Sequence, residues 1–191
     1  MTHRVINVGG ATDRNLPRHF HGWEQVLLDI DPNVQPDLVC DAREMTKLPA
    51  ANFDAVYSSH FLEHVYEHEV AAVLNGFLHV LKKSGFVQLM VPDMMALFET
   101  VVHGKRDITD TWYTVSAGRI RFIDVIYGWG AQIRKGNKHY CHRTGFSAKS
   151  LSYAFKNAGF AKVLTARDGC NLHAFAFRVN PSKPQLRHLG I

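Results

Sequence analysis

Val5-Ile6-Asn7-Val8-Gly9-Gly10-Ala11 decides the fold: four residues of extended, mostly apolar chain run into a bend of small residues. Such a run reads as a buried strand ending in a tight turn. Outward from it the same grammar repeats. Gln25-Val26-Leu27-Leu28-Asp29-Ile30 is a second strand, stopped by Asp31-Pro32-Asn33, and Pro36 to Cys40 is a short third. Phe53-Asp54-Ala55-Val56-Tyr57-Ser58 is a fourth and Phe86-Val87-Gln88-Leu89-Met90-Val91 a fifth. Between these two the period changes. Leu62, Val65, Val70, Val73, Leu74, Phe77, Leu78 and Leu81 mostly recur every three or four residues, which predicts one helix over 61–81, with Lys82 and Lys83 in its last turn and Ser84-Gly85 ending it. Ala96 to Val102 reads as helical. Ser147 caps a helix to Asn157, and two strands follow at Ala161–Thr165 and Leu172–Val179. From Pro181 the chain reads as a loose tail.

Strands alternating with helices predict an α/β fold, with a mostly parallel sheet covered on both faces and ligands at the carboxyl ends of its strands. The bends after the first four strands are therefore the places to look for chemistry. The chain of 191 residues is 46% hydrophobic and 20% charged, which suits one globular domain and excludes a disordered or collagen-like chain. No apolar run reaches the ~20 residues of a membrane span. Three cysteines, with no Cys-x-x-Cys among them, and a start without secretory features lead to the expectation of a reducing, cytoplasmic setting.

The formal charge of +5 is uneven: residues 105–149 hold nine basic and three acidic residues, net +6, leaving −1 for the rest. A confined basic segment, at about 103–144, points to an anionic small molecule or to a solvated insertion. No helix-turn-helix, zinc-finger or RNP pattern accompanies it, which argues against nucleic acid. Arg119, Arg121, Arg134 and Lys135 are its candidate anion contacts. Trp112, Tyr113, Phe122, Tyr127 and Trp129 form either an acceptor wall or the insertion's own core.

Gly9, Gly10 and Ala11 allow close backbone approach to a ligand, but the full dinucleotide fingerprint is absent, since Asp13 and Arg14 follow. Asp29, at the end of the second strand, stands where an acidic side chain accepts from ribose hydroxyls. Asp41-Ala42 offers an acceptor beside room for a ring. After the fourth strand comes Ser58-Ser59-His60-Phe61-Leu62-Glu63-His64, whose two histidines four apart also fit an inverted zinc-peptidase motif, His60-x-x-Glu63-His64.

These residues, in this order, resemble the class I S-adenosylmethionine (SAM) dependent methyltransferases, most closely the methyltransferase domain 11 group. The matching stretches are Ile6–Ala11, Leu28–Pro32, Cys40–Ala42, Leu48-Pro49 leading into Phe53–Ser58, Leu62–Val65 and Leu81–Phe86, with His142–Phe146 and Ala158–Phe160 further on. The resemblance implies a three-layer, doubly wound, mostly parallel seven-stranded sheet with its last strand antiparallel, and SAM as cofactor. It implies one methyltransferase domain over 1–180, the basic insertion on its substrate side and 181–191 as the tail. Asn7, Gly9, Gly10, Ala11, Asp29, Ile30, Asp41, Ala42, Ser58 and Ser59 become the cofactor residues. His60 and His142 become the candidate bases for an oxygen or nitrogen acceptor on a small, anionic or glycan-type molecule. No metal ligand is assigned on this reading. Asn7 and Ala11 replace the family's usual acidic residue and second glycine, so a non-catalytic SAM-binding scaffold is the competing reading.

Overall fold

The computed structural model describes residues 2–12, 14–116 and 118–191; Met1, Asp13 and Ala117 lie outside the described residues. Seven strands form one sheet: β1 (Arg4–Val8), β2 (Glu24–Asp29), β3 (Leu38–Val39), β4 (Phe53–Ser59), β5 (Leu81–Pro92), then β8 (Lys162–Asp168) and β9 (Asn171–Phe177). A separate hairpin joins β6 (Thr111–Val115) to β7 (Gly118–Arg121). The sheet order is β3-β2-β1-β4-β5-β9-β8. β1 to β5 run parallel, and β9, the last strand, is antiparallel to both of its neighbours. The order reverses at β1, with β2 on one side and β4 on the other, so the crevice for a ligand opens above these strands.

Period-two alternation sorts the core into two layers. Ile6, Val8, Val56, Val87 and Leu89 face α1 (Val70–Val80) and α5 (Ala148–Asn157), meeting Val73, Phe77, Leu151 and Phe155. Val5, Ala55, Phe86 and Phe177 face the other way, against Phe20 and Leu189. That second face is covered by the segment around Leu16–Trp23, one turn of 3₁₀ helix at its centre, and by α6 (Lys183–Leu189). Phe20 stacks on Phe86 with centroids 6.0 Å apart.

The ends of α5 agree with the sequence: Ser147 Oγ accepts the Ser150 N–H at 3.2 Å, and the helix stops at Asn157. Three expectations are corrected. The helix expected over 61–81 is two short 3₁₀ turns, Leu62–His64 and Glu67–Glu69, followed by α1 from Val70. His60 at φ +51° and the extended Val65 and Tyr66 break the helix before it starts, while Leu62 and Val65 are buried all the same. Lys82 and Lys83 belong to β5 instead of a helix end. Leu81 already pairs with Phe53, the register then slips so that Phe86 meets Ala55, and Lys82 Nζ binds Asp54 at 2.8 Å. The tail from Pro181 is not loose: Ser182 caps α6, and Leu189 is buried against the second face.

The insertion has its own small core. Phe122 and Val125 of α3 (Phe122–Tyr127) pack on Leu97 of α2 (Met94–His103), and Trp112 stacks on Phe122 at 5.3 Å. The aromatic residues Trp112, Tyr113 and Phe122 therefore build the insertion itself. All three cysteines are free, and no helix among the described residues is long and apolar enough to cross a membrane.

Candidate functional site

A cavity of about 310 Å³ opens at the carboxyl edge of β1, β2 and β4. Its floor comes from the strand ends: Val8 and Gly9 after β1, Leu28 to Asp31 after β2, and Cys40 to Arg43 after β3. Gly9, at φ +70°, tucks under the Phe61 ring so closely that a Cβ would overlap it. Ala11 also takes a left-handed conformation, φ +48°, and its N–H donates to Asp29 Oδ2 at 3.1 Å. The second carboxylate oxygen of Asp29 accepts the Asp31 N–H at 3.0 Å. Those two bonds fix the carboxylate at the rim and leave it further lone pairs for hydroxyl donors.

Six of the ten cofactor residues expected from sequence meet at this cavity: Gly9, Ala11, Asp29, Ile30, Asp41 and Ala42. Four do not line it. Asn7 is buried in β1 between Leu27 and Tyr57, and Gly10 is outside the lining. Ser58 is fully buried, its Oγ donating to Val8 O at 3.2 Å, so it ties β4 to β1. Ser59 pairs with Met90 inside the sheet. Asp41 caps the next 3₁₀ turn by accepting from Arg43 N at 2.9 Å, and its carboxylate is held by the Arg43 guanidinium, which also binds Glu69. The hydrogen bond from Arg43 holds the Asp41 carboxyl below its ordinary range, so it stays an acceptor.

The opposite wall is contributed by His60, Phe61, His64, Val65 and Glu69 from the segment after β4, and by Asn137, His139, Tyr140 and Arg143 from the end of the insertion. The insertion thus lies over the cavity, though not through the cations singled out from sequence. Arg121 is forked onto Asp124, and neither Arg119, Arg134 nor Lys135 reaches the lining. Arg143 does, with its guanidinium 4.7 Å over the Tyr66 ring and no carboxylate partner among the described residues. His142-Arg143-Thr144 carried the resemblance in sequence, which could have flagged Arg143; Asn137 to Tyr140 carried no signal at all.

Of the two candidate bases, His60 lines the cavity, and its Nδ1 bonds Glu63 Oε1 at 3.2 Å. His142 lies outside the lining, edge-on to His64 with centroids 4.8 Å apart. Its Nδ1 donates to Val125 O at 2.8 Å, and that of His64 donates to Cys141 O at 3.0 Å. Glu63 is 1% exposed. Burial pushes its carboxyl up, but the His60 hydrogen bond and the fields of His60, His64 and His142 outweigh it and hold the group below the usual range. Burial pushes the His142 imidazole down, against the opposing pull of Glu63. The helical zinc-peptidase geometry is not formed: His60 precedes a single 3₁₀ turn and His64 ends it, so the two do not share an α-helical face.

A small-residue bend, an anchored acidic side chain at the second strand and apolar walls from Val8, Leu28, Val34 and Val65 suit a ligand with an apolar ring and hydroxyls. Comparison with known proteins agrees. A family model described as a methyltransferase domain matches residues 2–165. No curated protein matches the chain. Among solved structures the chain is similar to a SAM dependent methyltransferase from Archaeoglobus fulgidus, at 14% identity, covering 92% of this chain and 86% of that one, with TM-score 0.62. It is also similar to the S-adenosylmethionine dependent methyltransferase from Mesorhizobium loti, at 16% identity, 92% and 90% coverage and TM-score 0.57. A third is the 1,6-didemethyltoxoflavin-N1-methyltransferase from Burkholderia thailandensis, with bound 1,6-didemethyltoxoflavin and S-adenosylhomocysteine, at 14% identity, 94% and 72% coverage and TM-score 0.55. At these identities the likeness is one of fold.

Proposed function

The chain belongs to the methyltransferase-domain family, and from that premise we propose that it moves a methyl group to an oxygen or nitrogen of a small, anionic acceptor. The cofactor is SAM, which supplies an electrophilic methyl on a sulfonium when bound. The observation that carries the reading is the meeting of Gly9, Ala11, Asp29 and Ala42 around one cavity at the strand-order reversal. Asp29 is assigned to the ribose hydroxyls, with Val8, Leu28 and Ala42 beside the adenosyl moiety and Asp41 as acceptor for its exocyclic amine.

For the acceptor, the wall from His60 to Arg143 supplies orientation. Arg143, with no carboxylate partner among the described residues, is assigned to an anionic group, and Tyr140 and Phe61 supply flat surface. Holding the acceptor in line with the breaking bond is the main requirement, and positioning of this kind contributes on the order of 7–11 kcal/mol. An acceptor that must lose a proton needs a base within reach. His60 is assigned that role, its ring steered by Glu63 through Nδ1, which leaves Nε2 to receive the proton. His142, behind His64, is not.

Calorimetry with SAM and S-adenosylhomocysteine, followed by turnover with a panel of anionic metabolites, tests the proposal. Binding with turnover that falls about 10²–10⁴-fold in His60→Ala supports it. Absence of binding to either compound overturns it. Binding without turnover on any acceptor favours the scaffold reading.

A further inference from the structure

We propose that Glu63, His64 and His142 form a binding site for one divalent transition-metal ion, in the class of Zn²⁺, Co²⁺, Fe²⁺ or Mn²⁺. One ligand atom from each of the three lies within 4.8 Å of the others. Three further observations point to a ligand there.

Glu63 Oε2 is buried without a hydrogen-bond partner among the described residues, the residue being only 1% exposed. A carboxylate oxygen left alone in a protein interior is costly, and a coordinated cation removes the cost. Both imidazoles, moreover, give their Nδ1–H to a backbone carbonyl, His64 to Cys141 and His142 to Val125. That fixes the tautomer and leaves the Nε2 lone pair on each ring to face a cation, the arrangement that outer hydrogen bonds impose on metal-binding histidines. The two parts of the site, finally, are clamped together by the backbone. Arg143 N and Thr144 N both donate to Glu63 O, at 2.8 and 3.2 Å, and His142 N donates to Tyr127 O at 3.1 Å. Residues 63–64 and 142 are far apart in sequence and are therefore brought to one place by paired hydrogen bonds.

Two nitrogens and one carboxylate suit a borderline transition metal; Mg²⁺ and Ca²⁺ prefer all-oxygen shells. Three protein ligands also leave a position open, as in sites where the ion meets a second molecule. His64 belongs to both the cluster and the cavity wall, so the ion would border the acceptor side of the cavity. This set differs from the helical motif His60-x-x-Glu63-His64: the third ligand comes from the insertion and His60 is an outer partner of Glu63.

The test is made on the whole chain after chelation, without SAM or acceptor, so that it fails or succeeds independently of the methyl-transfer reading. Co²⁺ is titrated by visible absorption and Zn²⁺ by calorimetry. We expect one equivalent of each, weakened in Glu63→Gln and His142→Gln by at least the roughly 10–100-fold that loss of an outer partner alone costs. His103→Ala, an exposed histidine on α2, should bind as the unsubstituted chain does. Binding that is absent, or unchanged in both cluster variants, overturns the proposal. Should those variants fail to fold, X-ray absorption of the Co²⁺-loaded chain decides: scattering from two imidazoles supports the site, and one or none removes it.

Discussion

Ala11 and Gly9 both sit on the left-handed side of backbone space, but only one of them is free to do so. For an L-residue with a Cβ the region costs roughly 1–2 kcal/mol, while glycine adopts it readily. Ala11→Gly is therefore expected to leave stability unchanged or raise it by up to about 1 kcal/mol, the relief being partly offset by the freer unfolded chain, as read from urea unfolding. Gly9→Ala should do the reverse, since its new methyl meets the Phe61 ring. We expect a loss of about 2 kcal/mol or more, with reduced SAM binding by calorimetry. At the strand ends the sequence was most readable: Gly9, Asp29 and Asp41 follow from strand, bend and acidic residue. Ser58 was not, because a serine at a strand mouth reads the same whether its hydroxyl faces a ligand or, as here, the carbonyl of Val8.

Among the elements, the insertion is the hardest to read and the most consequential. Its short pieces, β6, β7, α3 and α4 (Gly130–Ile133), have no sustained period, because packing on α2 and one buried acid organise them. Asp124 accepts the fork of Arg121 and the N–H groups of Arg121 and Gly130. Burial pushes its carboxyl up, yet these bonds outweigh burial and hold it below the ordinary value of 3.8. A carboxyl depressed in the folded state contributes stability that is present above that ordinary value and is lost as pH falls through the folded one. Thermal melts of the unsubstituted chain should thus lose this contribution only below about pH 4. Asp124→Asn should already be weaker at pH 7, by about 1–3 kcal/mol, with a shallower acid limb. The helix expected over 61–81 went wrong for a related reason. Leu62 and Val65 are buried at helical spacing, but a single 3₁₀ turn and the extended residue that follows it bury them.

For the molecule as a whole, the mostly parallel sheet was legible because apolar strands alternate with helices, whereas the antiparallel last strand was legible only through the resemblance to a known family. The identity of what covers the second face was not. Residues 14–23 and 183–189 are short and mixed in polarity, and only their apolar members, Leu16, Phe20, Trp23, Leu186 and Leu189, reveal the contact once the sheet is known. Binding should register globally. Adding S-adenosylhomocysteine at about 100 times its dissociation constant stabilises the fold by about 2.7 kcal/mol. In a domain of this size that corresponds to a rise in melting temperature of roughly 5–11 °C, measurable by differential scanning calorimetry.

Phe20 and Leu189 belong to one cluster although 169 positions of chain separate them. During synthesis the cover that α6 gives to this side of the sheet therefore arrives after the cover around Phe20. A chain cut short before residue 183 lacks Leu186 and Leu189, the leucines that α6 adds to that cluster.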